Sequence, residues 1–204
     1  VRRAASGGGT LMAVVVKIGG ARAVEPKGAL GDIAVLREDG TDVVVVHGGS
    51  TAVDEALERM GIEPEYVETP SGVVGRFTDS ETMDVFKMAM AGRVNTDLVT
   101  GLQKHGVDAV GLSGVDGGLF TGARKSAVRV IEDGKKKIRR GEHSGSIEAV
   151  NGDLLETLVG DGYTPVASPP MLADDGVAVN TDADRAAAAV AGELGGTLVS
   201  LTDV

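Results

Sequence analysis

Strand-like apolar runs alternate with helical segments along most of this chain, and this alternation restricts its fold more than any other sequence feature. Met12–Ile18 and Asp42–His47 are rich in Val, as is typical of strands that are covered on both faces. The next segment, Ser50–Met60, carries its apolar residues on one helical face. Strands separated by helices favour a parallel sheet with helices on both sides. We therefore predict an α/β fold, a three-layer αβα sandwich with a mostly parallel central sheet.

The rest of the chain continues this pattern. Pro70 and Gly72 break the stretch Glu65–Phe77, which indicates a hairpin or flap. Ala127–Arg140 predicts a strand, a turn and a second strand. A long helix is predicted at Thr78–His105, with an interruption near Gly92. The sequence predicts further strands at Val107–Leu112, Tyr163–Ala167 and Thr197–Leu201, and further helices at Asn151–Val159 and Asp182–Leu194.

The composition limits the size and the chemistry of the protein. The chain has 204 residues, of which 42% are hydrophobic, so it is long enough for one domain or slightly more. It has no cysteine, which excludes disulfides and thiolate metal sites, and its three histidines lack metal-ligand spacing. A net charge of −10 argues against nucleic acid as the main partner.

We expect neither a membrane span nor a signal peptide in this sequence. Residues 1–11 lack an apolar core, and no later run has the roughly 18 apolar residues that a spanning helix needs. We expect residues 1–11 to be a disordered leader, with Met12 as the natural start and one domain over residues 12–204. We expect a cytoplasmic protein.

Glycine pairs follow the first two predicted strands. The first is Lys17–Gly20 (Lys-Ile-Gly-Gly) and the second is His47–Ser50 (His-Gly-Gly-Ser). Such pairs let backbone N–H groups surround an anion, and the carboxyl ends of parallel strands meet at one edge of the sheet. The structural alternatives are a tight turn with a solvated Lys17 and a glycine turn capped by Ser50. His47 is expected to be structural rather than a catalytic base.

Polar residues also stand at three other predicted element ends. Arg76 has the planar guanidinium that suits a carboxylate, although Thr78–Asp79 could simply cap the next helix. Asn180–Arg185 (Asn-Thr-Asp-Ala-Asp-Arg) precedes an Ala-rich helix, with Asp182 as its candidate cap. Thr202–Asp203 ends the last strand, where it could hold a ribose or a base edge or could simply be the end of the chain.

Taken together and in this order, these five segments resemble the amino acid kinase family. Within that family they are most similar to the acetylglutamate kinase group, which includes kinases whose substrates are attached to the small acidic carrier protein LysW. The resemblance spans Ala13–Val204. It implies ATP-dependent phosphorylation of a carboxylate, with Mg²⁺ accompanying ATP and no metal held by the protein. It also implies a homodimer or a higher homo-oligomer.

The resemblance implies a role for each site residue. The catalytic residues are a lysine that acts on the transition state and an aspartate that orients it, Lys17 and Asp184. The substrate-binding residues are Gly48, Gly49, Arg76 and Asn180. The nucleotide-binding residues are Gly19, Gly20, Thr202 and Asp203.

The chain departs from the family in two respects. Ser50 stands where many members have a third glycine, which puts the shape of the pocket in doubt. The family also continues well past Thr202–Asp203, and a second catalytic lysine lies in that continuation. We therefore expect an incomplete nucleotide lobe and an inactive fragment or truncated product. A regulatory or binding module with the same fold is the non-catalytic alternative.

The sequence offers few candidates for a catalytic general base, and a carboxylate acceptor explains why none is needed. A glutamate side chain titrates near roughly pH 4.3, so it is already ionised at pH 7 and needs no general base. The barrier is electrostatic, because an anion must attack an anionic phosphoryl group. Catalysis then rests on positioning and charge neutralisation by Lys17, the glycine N–H groups and Mg²⁺.

One segment, Arg124–Arg140, is strongly basic on an acidic chain. It has eight basic and two acidic residues, a net charge of +6, so the remainder carries −16. One interpretation is an edge strand that lysines protect from pairing. The other is a docking surface for an acidic carrier protein. The candidate docking residues are Lys135, Lys136, Lys137, Arg139 and Arg140.

With Gly111–Gly118, this segment resembles the LysW-dependent kinases. They act on glutamate or 2-aminoadipate joined through its amino group to the carrier's C-terminal glutamate, in arginine or lysine biosynthesis. We favour this substrate over N-acetylglutamate, which is the first alternative. Aspartate, uridylate and carbamate kinases stay open because they share the front half of the chain. The sequence does not separate glutamate from 2-aminoadipate, which differ by one methylene.

Overall fold

The computed structural model describes residues 12–20 and 26–201 of the chain. The strands are β1 (Val14–Ile18), β2 (Val43–His47), β3 (Tyr66–Glu68), β4 (Val74–Arg76), β5 (Ala109–Gly114), β6 (Phe120–Glu132), β7 (Lys135–Val150), β8 (Thr164–Ala173), β9 (Ala178–Val179) and β10 (Thr197–Leu201). The helices are α1 (Pro26–Glu38), α2 (Ser50–Arg59), α3 (Ser80–Lys87), α4 (Asn95–Lys104), α5 (Gly152–Gly160) and α6 (Ala183–Leu194). Met88–Val94 is a π-helical segment that joins α3 to α4, and Asp116–Gly118 is a 3₁₀ turn.

The centre of the sheet is parallel, in the strand order β10, β1, β2, β8, β5. The second half of β8 pairs with β6 in parallel and with β9 in antiparallel orientation. Two antiparallel hairpins extend this side of the sheet, β6–β7 and β3–β4, and they meet where Glu68 lies opposite Ile131.

Helices cover both faces of the parallel strands. On one face, α5 and α6 pack with Val15 and Val44, and on the other α1 and α4 pack with Val16 and Val45. A third apolar cluster joins α2 to α3. Because strand side chains alternate between faces, Lys17 lies on the same face as Val15 and points towards α6. The predicted three-layer α/β sandwich with a mostly parallel sheet is confirmed.

Several details differ from the prediction. The helix is not broken near Gly92 but widens there into the π-helical segment. Both strands of the β6–β7 hairpin are longer than predicted, and α1 was not predicted at all. The expected leader and Thr202–Asp203 lie outside the described residues. In the part of the chain that the structure describes, no helix is long and apolar enough to cross a membrane.

Candidate active site

A cleft of about 490 Å³ opens at the carboxyl edge of the parallel strands. The ends of β1 and β2, the starts of α2 and α6, and the β3–β4 and β6–β7 hairpins all contribute to it. The cleft brings together seven of the predicted site residues, namely Lys17, Gly20, Gly48, Gly49, Arg76, Asn180 and Asp184. Residues far apart in the sequence therefore share one site.

Lys17 is the cation at the base of the cleft. Its side chain is 7% exposed, and its Nζ lies 2.9 Å from Oδ1 of Asp184, in the first turn of α6. The Asp184 side chain is 63% exposed. The Asp184 carboxylate therefore fixes the position of the buried Lys17 ammonium. Because solvent still reaches this pair, the ammonium can also contact an anion that enters the cleft. The catalytic roles that the family resemblance implied for the two residues stay predictions.

The two glycine turns pack directly against each other. A Cβ placed on Gly20 would overlap the backbone of Gly49, and a Cβ on Gly48 would come within 3.1 Å of the Gly20 nitrogen. A Cβ on Gly49 would in turn lie 2.5 Å from Sδ of Met90. A side chain at Gly20 would push the two turns apart, and one at Gly48 would be tight against Gly20. A side chain at Gly49 would displace Met90 instead. Gly20 is therefore required for the close approach of the two turns.

The backbone donors differ from the prediction in one respect. The Gly48 N–H donates to the Ile18 oxygen at 2.9 Å, and the Gly19 N–H donates to the Leu201 oxygen at 2.8 Å. These two groups are already used inside the sheet, so Gly48 cannot offer its own N–H to a substrate in this arrangement. The candidate donors are instead the first amides of α2, which begins at Ser50 after Gly49, lines the cleft at these two residues and has no side-chain cap in the described structure.

Arg76 stands at the mouth of the cleft, and its side chain is 7% exposed rather than solvated. Its Nη2 lies 2.6 Å from Oδ1 of Asp54 and donates to the Ser50 oxygen at 2.9 Å, while its Nε donates to the same Asp54 oxygen at 3.0 Å. Tyr66 donates to the other Asp54 oxygen at 2.8 Å. These contacts fix the guanidinium beside the start of α2.

Asn180 is held at the opposite wall by backbone bonds. Its N–H donates to the His143 oxygen and its oxygen accepts from the Gly145 N–H, both at 2.8 Å, so that it bridges Ser144 of β7. Asp182, two residues on, accepts from the Arg185 N–H at 2.8 Å and is the N-cap of α6, as one interpretation of the sequence predicted. Asp79 caps α3 in the same way.

His47 is buried under the cleft and has a structural environment. Its Nδ1 contacts the Gly48 oxygen at 2.9 Å, and its Nε2 lies 3.1 Å from Nδ2 of Asn95. Burial lowers the pKa of His47 to about 4. The imidazole is therefore neutral at pH 7 and completely covered. This agrees with the expectation that His47 is not a catalytic base.

Sequence reasoning missed several residues of the site. Asp54 follows Ser50 by one helical turn, a spacing that could have indicated a shared role on α2. Ser144 and Lys125 enter the cleft only through the pairing of β6 with β7, and no local signal marks them. Arg185 follows Asp184 in the first turn of α6 and also lines the cleft.

Comparisons with known proteins identify the family of this chain. The model of the amino acid kinase family matches residues 12–204. The chain is 43% identical over 192 residues to the [LysW]-aminoadipate kinase of Thermus thermophilus, covering 94% of this chain and 71% of that protein. It is 41% identical to the acetylglutamate kinase of Methanopyrus kandleri, covering 93% and 71%.

A solved structure supports the fold. The crystal structure of smu.665 from Streptococcus mutans superimposes with a TM-score of 0.75 at 22% identity, over 94% of this chain and 72% of that one. The family match and these relatives define a phosphotransferase of the amino acid kinase type. The chain belongs to the amino acid kinase family. It spans 62% to 71% of the length of the curated relatives that it matches.

Proposed function

We propose that this protein transfers the γ-phosphoryl group of ATP to the side-chain carboxylate of 2-aminoadipate, glutamate or both, attached to a LysW-type carrier protein. The observation that carries the proposal is the Lys17–Asp184 pair at the meeting point of two glycine turns, with Arg76 across the cleft. The Thermus thermophilus relative named above phosphorylates an acceptor of this class, according to its name. Such a reaction belongs to lysine or arginine biosynthesis.

The proposed mechanism uses charge and position rather than proton transfer. Arg76 and Asn180 hold the α-carboxylate side of the acceptor, while the Gly49 and Ser50 amides face its reacting carboxylate. Lys17, oriented by Asp184, neutralises the charge that develops between the acceptor and the phosphoryl group. Mg²⁺ bound with ATP would supply further neutralisation of the phosphate charge. Gly20, beside Gly49, is proposed to approach the ATP phosphates, and Gly19, Thr202 and Asp203 stay predictions for the nucleotide.

The distal part of the β6–β7 hairpin supports a protein-linked acceptor. We call residues 127–140 the basic arm. One face of the arm is directed at the protein body, because Val130 is buried and Arg139 lies over the Phe77 ring at 4.8 Å. Alternation along the strands then directs another set of side chains outward. The outward set, which the strand pairing places side by side, is Arg129, Lys136, Ile138 and Arg140.

The two faces of the arm divide the predicted docking residues into those paired within the fold and those directed outward. Arg139 is bound by Glu65 at 2.7 and 2.9 Å and by Glu132 at 3.0 Å, so its charge is used within the fold. Lys137 pairs with Glu132 at 2.9 Å. Lys136 and Arg140 are exposed on the outward face, on either side of Ile138, which is 63% exposed. Cations around an exposed apolar side chain suit an acidic protein surface better than a small free acceptor.

N-acetylglutamate is the second candidate acceptor. The Methanopyrus kandleri relative, which is named an acetylglutamate kinase, is nearly as similar as the aminoadipate kinase. An inactive fragment or a regulatory module of the same fold is the third candidate. The homo-oligomer implied by the resemblance stays a prediction.

A coupled assay of ADP formation by the complete gene product separates these candidates. Three acceptors are compared at equal concentration: carrier-linked 2-aminoadipate, carrier-linked glutamate and free N-acetylglutamate. The proposal expects kcat/KM to be at least about tenfold higher for one carrier-linked acceptor than for N-acetylglutamate. A preference for N-acetylglutamate favours the second candidate. A folded, ATP-binding protein that phosphorylates none of them favours the third.

A charge reversal tests whether the arm binds the carrier. Lys136→Glu with Arg140→Glu is expected to raise KM for the carrier-linked acceptor about tenfold or more at low salt, and the effect should shrink as salt screens it. The matched control is Arg59→Glu with Lys104→Glu, the same charge change at exposed positions outside the arm. If both double variants keep the original KM at low salt, the docking role is wrong.

A further inference from the structure

Lys125 lies in the cleft, and the proposed function has given it no role. It lines the same cavity as Lys17 and Arg76. On β6 it is opposite Ser144, which in turn bridges Asn180. Neighbouring strands lie about 4.8 Å apart, so the α-carbons of Lys125 and Asn180 are separated by roughly 10 Å. One extended acceptor can therefore contact both residues.

The pairing of β6 with β7 explains the orientation of Lys125. Its neighbour Arg124 points to the other side of the strand, where it donates to Asp175 at 3.1 Å and lies 2.9 Å from Nε2 of His143. Because side chains alternate along a strand, Lys125 is directed to the cleft side. The two adjacent cations thus have different surroundings, and Arg124 has a structural role.

The charge environment of Lys125 differs from that of Lys17 and Arg76. Lys17 pairs with Asp184 and Arg76 with Asp54. Within residues 12–20 and 26–201, Lys125 forms no salt bridge, and its side chain is exposed to the cleft. An ammonium without a carboxylate partner, in a cleft built for an anionic acceptor, is suited to bind an anion of that acceptor.

Lys125 also lies between the basic arm and the cleft. The pairing is regular from Gly122 opposite Ile147 to Lys125 opposite Ser144, and it resumes with Ala127 opposite Arg140, so residues 141–143 bulge out of β7. Beyond this bulge the two strands continue as the basic arm. A chain segment that contacts the outward face of the arm and then enters the cleft passes Lys125.

The chemistry of the proposed acceptor supplies the ligand, and this step rests on the function proposed above. A C-terminal glutamate has two carboxyl groups, so when one forms an amide with the acceptor the other stays ionised at neutral pH. A carrier-linked acceptor therefore brings a carboxylate that an N-acetylated acceptor lacks. We propose that Lys125 binds this residual carboxylate and forms a second carboxylate subsite, which selects carrier-linked over N-acetylated acceptors.

Arg185 is the competing candidate for this subsite. It lines the cleft and forms no salt bridge within the described residues. It adjoins Asp184, however, and so belongs to the side of the cleft where Lys17 meets the phosphoryl group. Lys125 belongs to the Asn180 side, nearer the arm. Because Lys125 lies between the basic arm and the cleft, we favour Lys125 over Arg185 for this subsite.

Three synthetic acceptors test the subsite on the complete gene product. They are N-acetyl-γ-glutamyl-2-aminoadipate, the same compound with its glutamyl carboxylate converted to a primary amide, and N-acetyl-2-aminoadipate. The unmodified protein is expected to show a KM roughly three- to tenfold lower for the free carboxylate than for the amide. Lys125→Met should raise the first KM to the level of the second and leave the other two within about twofold. Lys104→Met, at an exposed position outside the cleft, is the matched control.

Three outcomes would overturn the assignment. The unmodified protein could fail to distinguish the carboxylate from its amide, Lys125→Met could raise all three KM values equally, or Arg185→Met alone could remove the discrimination. Each leaves the proposed function standing if carrier-linked acceptors are still preferred. A protein that folds, binds ATP and phosphorylates neither carrier-linked acceptors nor these compounds contradicts both the subsite and the proposed function.

Discussion

Lys17 Nζ and Asp184 Oδ1 lie 2.9 Å apart and join the end of β1 to the first turn of α6. The lysine is buried and the aspartate is largely exposed, so the carboxylate fixes the ammonium without sealing it from the cleft. The pair forms because Lys17 follows the strand alternation to the α6 face, where the N-cap Asp182 starts the helix at the correct position.

Asp184→Asn is expected to release Lys17 from its position. We expect kcat to fall roughly ten- to hundredfold with a smaller change in KM, because misplacing a catalytic group acts mainly on the transition state. Steady-state kinetics of the complete gene product provide the measurement. Asp153→Asn makes the same change in the first turn of α5 and should leave kcat intact. Equal kcat in the two variants would contradict an orienting role for Asp184.

Asp54→Ala is expected to free the Arg76 guanidinium, which loses two bonds of 2.6 and 3.0 Å. Because Arg76 is proposed to hold the acceptor, KM should rise about tenfold while kcat changes less. Glu58→Ala, one turn further along α2 and exposed, is the control. A change confined to kcat would show that the Arg76–Asp54 contact does not serve acceptor binding.

The buried His47 predicts how stability depends on pH. Its pKa is about 4 in the folded state and near 6.5 in the unfolded state, so the unfolded chain binds the extra proton. The contribution of neutral His47 to the free energy of unfolding is complete above pH 6.5 and is lost as pH falls towards 4. We expect about 2 kcal/mol less stability at pH 5 than at pH 8 from this residue.

Urea unfolding at several pH values measures this dependence, with His47→Gln as the comparison. The variant should lose part of the slope between pH 6.5 and 5. An NMR titration in which the His47 imidazole protonates near pH 6.5 in the folded protein would show the prediction to be wrong.

Glu142 predicts the opposite pH dependence. It lies in the β7 bulge, where Oε2 accepts from the Thr78 N–H at 3.4 Å and Oε1 has no hydrogen-bond partner among the described residues. Burial raises the pKa of this carboxyl, so the folded state favours its protonated form. Burying the ionised carboxylate of Glu142 lowers the stability of the folded protein. This unfavourable contribution is absent at low pH and is complete once pH has risen through the folded-state pKa.

Glu142→Gln should therefore change stability little at acidic pH and raise it by about 1 kcal/mol at pH 8. Urea unfolding at about pH 4, below the ordinary pKa of a glutamate, and at pH 8 measures both values. A variant that is equally destabilised at both pH values would mean that the carboxylate is stabilised in the folded protein by its surroundings.

The sheet was predictable because its strands are marked locally. The Val-rich runs of β1 and β2 and the caps Asn151 and Asp182 follow from residue preferences alone. Helix α1 was missed because Gly28 and Gly31 weaken its intrinsic helix preference. It forms because Leu30 and Ile33 are buried against the sheet, a tertiary effect that no local pattern reports.

The site was predictable only in part for a similar reason. Lys17 and the glycine turns are marked by their position at strand ends. Asp54 and Lys125 are not, since their roles depend on which segments come together in the folded protein. The direction of the Gly48 N–H also depends on the register of β1 with β2, which the sequence does not specify.

The central claim is that Lys17 neutralises charge during phosphoryl transfer to a carboxylate. The most direct measurement is single-turnover transfer from ATP to the carrier-linked acceptor by the complete gene product carrying Lys17→Ala. We predict a rate reduced by about a hundred- to a thousandfold, with the fold intact and acceptor affinity within a few fold of the original. A reduction of less than about tenfold in a folded variant would contradict the claim.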